Sequence, residues 1–144
     1  MRKEETITIN GGRDNGKKFH IIEMGAYQTE AWATKALLLM LSNNIELPEN
    51  VKAEDLQGAE GLSVLSKVGY KVLLQMLSQI DYEKVKPLLN ELLGCCYFVV
   101  EGTETKLTES NAETIVEDMK TLFTLKKKAF GLHFDFFQKE SPAK

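Results

Sequence analysis

Cysteine, histidine and proline are all scarce in this 144-residue chain, with two, two and three copies. The two cysteines, Cys95 and Cys96, are neighbours, and a bridge between adjacent residues is strained; no disulfide framework is expected and a reducing compartment is implied. His20 and His133 stand alone, with no H-x-x-x-H or C-x-x-C companion, so no metal site is expected. No run of about 18 apolar residues exists to span a membrane, and "MRKEETITI" lacks the apolar segment of a secretion signal. A cytoplasmic chain with no membrane role is the expectation. A net charge of −3 provides no field for gripping a phosphate backbone, which argues against general nucleic-acid binding.

What the chain does contain is an ordinary globular balance, 43% hydrophobic and 27% charged, and a length that makes a single domain over 1–144 the simplest expectation. Its most suggestive stretch is "INGGRDNGKKF" at 9–19. Gly11, Gly16 and Lys17 stand where a P-loop places its glycines and lysine. Lys18, however, occupies the magnesium-ligand position, and "KFHIIEM" reads as a strand and not as the helix a P-loop opens. The favoured reading of residues 1–24 is a β-hairpin with a Gly/Asp/Asn-rich turn, while an anion- or nucleotide-binding enzyme using Gly11 to Lys18 remains the rival.

Beyond the hairpin the pattern is helical to residue 94. A helix from Gln28 or Thr29 to about Asn43 carries Trp32, Ala36, Leu39 and Met40 as a stripe. A loop follows over 44–59. A second helix from Glu60 to Gln79 buries Leu62, Leu65, Val68, Val72, Leu73, Met76, Leu77 and Ile80, with Gly69 suggesting close approach of another backbone. A third starts after Asp81 and is kinked or split at Pro87. "CCYFVV" at 95–100 reads as a strand, with a second extended piece around 106–109, so short strands fill 95–109.

Ser110 and Glu113 form an S-x-x-E capping box that opens a long C-terminal helix over 112–137, before a polar tail at 138–144. Ile115, Val116, Met119, Phe123, Phe130, Phe134 and Phe137 form one stripe, read as core. Leu125, Leu132 and Phe136 lie almost opposite, and that second stripe is the candidate partner-binding surface. The fold class expected is α+β, about four helices packed with a small antiparallel β element.

Chemistry-bearing groups are few. Cys95 and Cys96 are read as small buried hydrophobes, and Trp32 as core in preference to a binding hot spot. Glu113, Glu117 and Asp118 suit the start of the last helix. "KKK" at 126–128 is a solvated strip, or else meets an acidic partner. No catalytic residue, metal ligand or cofactor-binding residue is assigned.

The order of motifs resembles the tail assembly chaperones of long-tailed bacteriophages and prophages. It runs through "ITINGGRDNGKKFHIIEMGAYQTEAWATKALLLML" at 7–41, "YEKVKPLLNELLGCCYFVV" at 82–100 and "LKKKAFGLHFDFF" at 125–137. The shared features are the GRDxGK turn, Glu23-Met24 before Gly25-Ala26, Glu30 to Ala33 as E-x-W-A, Pro87-Leu88-Leu89, and the spacing of Lys128, Phe130, Leu132, His133 and Phe137. Gly25 stands where the family carries proline. The resemblance implies a non-enzymatic assembly factor of the bacterial cytoplasm, absent from the finished virion. It implies binding of the helical tape measure protein, help in recruiting tail tube subunits, and a family often made in short and frameshift-extended forms. Self-association is a further possibility for the surplus apolar stripe, and a structural tail or connector subunit is the alternative reading.

Overall fold

The computed structural model describes residues 2–43, 45 and 60–134, with side chains from residue 69 onward in the last stretch. The fold is α+β, and the described residues form a four-stranded antiparallel sheet and five helices. In chain order these are β1 (Glu4–Thr8), β2 (Lys18–Ile22), α1 (Ala26–Ser42), α2 (Glu60–Leu77), α3 (Tyr82–Leu93), β3 (Cys96–Val100), β4 (Thr103–Lys106), α4 (Glu109–Ile115) and α5 (Met119–Phe134). The chain divides into two compact units, Met1–Gly25 with Leu89–Leu132, and Ala26–Leu88 with His133–Lys144.

The first unit is built on the sheet, whose strands run β1-β2-β3-β4 in space. Strand alternation separates two faces. Phe19 and Ile21 pair with Phe98 and Cys96 on one of them, and the Phe19 and Phe98 rings sit 5.4 Å apart. Helix α5 lies on this face: the Cys96 thiol donates to the Leu125 carbonyl at 3.7 Å, and Lys128 meets Glu5 at 3.6 Å. His20, Tyr97 and Lys106 line up on the opposite face. Strand β4 starts three residues earlier than its expected position, because the two-residue turn Glu101-Gly102 returns the chain at once.

The expected C-terminal helix is interrupted. Helix α4 ends at Val116, which is extended at φ −104° and ψ 125°, and α5 opens only at Met119. The capping box is also two residues upstream of the expected Ser110 and Glu113. The Thr108 hydroxyl accepts from the Asn111 amide at 3.2 Å, and the Asn111 side chain accepts from the Thr108 amide at 2.7 Å. Thr108 takes this role because Leu107, buried and bonded to the Cys96 carbonyl, ends the extended segment immediately before it.

In the second unit α1 buries Trp32, Ala33, Ala36, Leu37 and Met40, while Leu38 is exposed. The Trp32 indole donates to the Leu88 carbonyl at 2.9 Å and its ring lies 5.8 Å from Phe134, so it is a core residue with its one polar atom satisfied. Leu73, Met76, Leu77 and Ile80 are buried as their spacing predicts; the side chains of Leu62, Leu65 and Val68 lie outside the described set. Helix α3 carries Pro87 within it and is not split there, which leaves the kinked alternative of the two expected. The carbonyl that the proline leaves without a helical donor belongs to Glu83, an exposed residue that water can serve.

Gly69 departs from the expected role. It breaks α2 with φ 77° and ψ 171°, and a Cβ built there meets nothing within 4 Å among the described residues. Its function is therefore conformational and not close packing. A region open essentially to glycine alone predicts that Gly69→Ala lowers stability by about 1–3 kcal/mol in urea unfolding. A neutral or stabilising alanine would mean that the helix runs straight through residue 69.

Candidate functional site

The Gly-rich turn is the place where sequence most strongly suggested ligand chemistry, and its geometry is specific. Gly11, Gly12 and Gly16 all have positive φ, between 73° and 91°, which glycine alone adopts without strain. The turn is closed by Ile9 N–H to the Lys17 carbonyl at 2.9 Å and Gly16 N–H to the Ile9 carbonyl at 2.7 Å. It rises from the sheet and carries at its centre a fully buried carboxylate, Asp14, with 0% exposure.

Asp14 is satisfied from several directions. Lys17 Nζ donates to Oδ1 at 2.8 Å, Glu117 N–H to Oδ1 at 3.0 Å and Asp118 N–H to Oδ2 at 2.9 Å. The buried Thr121 hydroxyl is a further partner. Burial by itself would push this carboxyl up; the bonds from Lys17, the two amides and Thr121 outweigh it and hold Asp14 down at about 2. Lys17 in turn reaches the Ile115 carbonyl at 2.7 Å and approaches Glu117 at 3.8 Å. Its ammonium is thus bound on the turn side and on the α4 side together.

The arrangement is an anion site whose anion belongs to the chain. A glycine-rich turn, a lysine and two backbone amides ahead of a helix are the parts that hold phosphate in nucleotide-binding loops. Here they hold Asp14. A phosphate would have to displace a buried carboxylate held by four partners, and the remaining cations, Arg13 in the turn and Lys18 at the start of β2, are exposed.

A second cluster lies on the open face of the sheet. His20 Nε2 pairs with Glu4 at 2.5 Å, and Nδ1 lies 3.0 Å from Glu104. Glu4 comes from β1 and Glu104 from β4, so one imidazole ties three of the four strands. Hydrogen bonding to Glu104 raises the His20 pKa above its ordinary value against the opposing effect of burial, with Glu4 adding to the rise. The described residues include no group of three or more His, Cys, Asp or Glu placed to hold a metal.

The other flagged residues divide clearly. Cys95 and Cys96 are free and buried; the Cys95 thiol donates to the Glu91 carbonyl, the Cys96 thiol has the Leu92 carbonyl as an alternative acceptor to that of Leu125, and burial pushes Cys95 up to about 11 and Cys96 higher still. Neither is poised as a thiolate nucleophile. His133 is buried with its ring 6.0 Å from Phe134. The lysine run is three different residues: Lys126 is half-buried and its pKa is lowered by burial, Lys127 is exposed, and Lys128 pairs with Glu5. Glu113 is exposed on α4.

The candidate partner stripe is redistributed. Leu125 is 0% exposed, enclosed against the sheet, so it offers no surface to a partner. Leu132 is half-buried, and Phe136 lies outside the described residues. In exchange, two members of the expected core stripe are outside: Met119 is 86% exposed and Phe123 45%, whereas Phe130 and Phe134 on the same stripe are buried. The first half of α5 buries its Thr121, Leu125 and Ala129 face, and only farther along do the phenylalanines turn inward. Periodicity identified both stripes but not which was covered.

Among the described residues, no helix is long and apolar enough to cross a membrane. Comparison of the chain with known protein families, with curated proteins and with solved structures found no match.

Two expected outcomes follow from the charge clusters. Lowering the Asp14 pKa from 3.8 to about 2 contributes stability that is present above pH 4 and lost as the pH falls through 2, on the order of 2.5 kcal/mol. Asp14→Asn, which turns an amide N–H toward a donor, should cost about 2–4 kcal/mol and flatten that acid limb in urea unfolding measured from pH 5 to 2. An acid limb as steep as wild type in the variant would exclude Asp14 as its source. His20 has the opposite sign. Its pairing with the two glutamates is fully present below pH 6.5 and lost as the pH rises through its elevated folded value. Wild type should therefore lose stability through that window relative to His20→Gln, and parallel curves would refute the coupling.

Proposed function

We propose that this chain is a tail assembly chaperone of a long-tailed bacteriophage or prophage. In this reading it is a non-enzymatic protein that binds the tape measure protein and assists tail tube assembly in the bacterial cytoplasm, without entering the virion. The observation that carries the reading is the ordered resemblance across 7–41, 82–100 and 125–137.

The geometry supports it in two ways. The most ligand-like motif, GRDNGK, has its lysine and its anion paired with each other, which accounts for a resembling turn without any nucleotide duty. Large apolar side chains also stand exposed on helices, Met119 and Phe123 on α5, Tyr27 and Leu38 on α1, and Tyr82 on α3. Such surfaces suit a helical client that would otherwise expose its own apolar stripe.

The test is co-expression with the candidate tape measure protein of the same genome. Co-purification, together with a client that precipitates when made alone, is the expected result. Mass spectrometry of purified virions then separates chaperone from structural tail or connector subunit, since the chaperone should be missing. A client that stays soluble and unbound, or a chain found in the particle, would overturn the proposal.

A further inference from the structure

Helix α5 is uniformly basic on an acidic protein. Its sequence, MKTLFTLKKKAFGLHF, has four lysines and no acidic residue, against a net charge of −3 for the whole chain. Two of those lysines are accounted for, Lys128 by Glu5 and Lys126 by partial burial. Lys120 and Lys127 are exposed and make no ion pair among the described residues.

These two lysines border the exposed apolar pair. Met119, Phe123 and Lys127 follow at four-residue intervals, and Lys120 stands beside Met119, so all four share an arc of about 100°. Lys120 and Lys127 are two helical turns apart, about 10 Å along the axis. The acidic groups just upstream face elsewhere: Glu117 approaches Lys17, and Asp118 Oδ2 lies over Gly12. Single exposed apolar residues are ordinary, but an adaptable methionine and a phenylalanine one turn apart, with Lys127 and Lys120 along one side of them, form a small amphipathic docking strip.

We propose that this face of α5 docks an amphipathic helix of the client that carries acidic residues about seven positions apart along one side of an apolar ridge. The inference rests on the client-binding reading and adds the chemistry of the segment bound. Complementary charge fixes the register and orientation of the bound helix, while Met119 and Phe123 supply the dry contact.

The probe is a synthetic helical peptide with leucines at i, i+4 spacing and glutamates seven apart along one flank, compared with its lysine-for-glutamate counterpart by fluorescence anisotropy at 0.15 M salt or lower. The full chain should bind the acidic peptide at least tenfold more tightly. Lys120→Glu with Lys127→Glu should invert that preference, and Met119→Ser with Phe123→Ser should lose both peptides while circular dichroism and melting temperature stay near wild type. Equal binding of the two peptides, binding of neither, or a preference that survives both double variants would overturn the surface. So would tighter binding of a single-stranded DNA 20-mer that the serine variant leaves unchanged, which would make the strip a nucleic-acid contact. Pull-down of the tape measure protein by the same variants keeps the two proposals apart. Client retained by variants that lack peptide binding leaves the chaperone reading standing without this surface; peptide bound but client ignored by wild type removes the chaperone reading and keeps the surface.

Discussion

The Asp14 carboxylate is the constraint on which the first unit depends. A buried charge is tolerated only when its lone pairs are filled and an opposite charge stands close; Lys17, three residues on, supplies the charge, and amides about a hundred residues away fill the remaining lone pairs of Asp14. The amides of Glu117 and Asp118 are donors that the start of α5 leaves without helical partners, so the carboxylate acts as a cap supplied from a distant turn. Lys17 then joins the same turn to the last carbonyl of α4, that of Ile115. One side chain pair thereby fixes the break between two helices and seats the hairpin turn against it.

That geometry explains why part of the fold was readable from sequence and part was not. The strands and the buried stripe of α1 follow from alternation and helical spacing, which are local properties; Trp32 and Met40 are inside where the pattern puts them. The break at 116–118 is invisible to the same method. Val116, Glu117 and Asp118 are all acceptable in a helix, and only a partner near residue 14 makes their extended path favourable. Asp14 itself gave one faint signal, an acid inside a basic glycine-rich turn. Its significance appears only when the distant amides are in place.

The His20 cluster was hidden for a related reason. Alternation assigns His20, Glu4 and Glu104 to faces of their own strands, but the pairing requires the spatial order of four strands. A histidine with no neighbouring ligand residue in sequence thus turns out to be a crosslink over one face of the sheet. Glu4 and Glu104 also sit on the two edge strands, where charge opposes pairing with another sheet.

On the proposed chaperone reading, the burial of Leu125 and the exposure of Met119 and Phe123 on α5 change what a client could meet. A leucine stripe would have offered a uniformly apolar seam, suited to any hydrophobic segment. Leu125 is instead consumed by the sheet, and the exposed residues are a methionine and a phenylalanine edged on one side by lysines that no described acid neutralises. Apolar area this small gives modest affinity, so discrimination has to come from charge and register. Weak, charge-directed contact would suit the proposed role of keeping a partner soluble and later releasing it, because each contact can be replaced as the partner's final neighbour arrives.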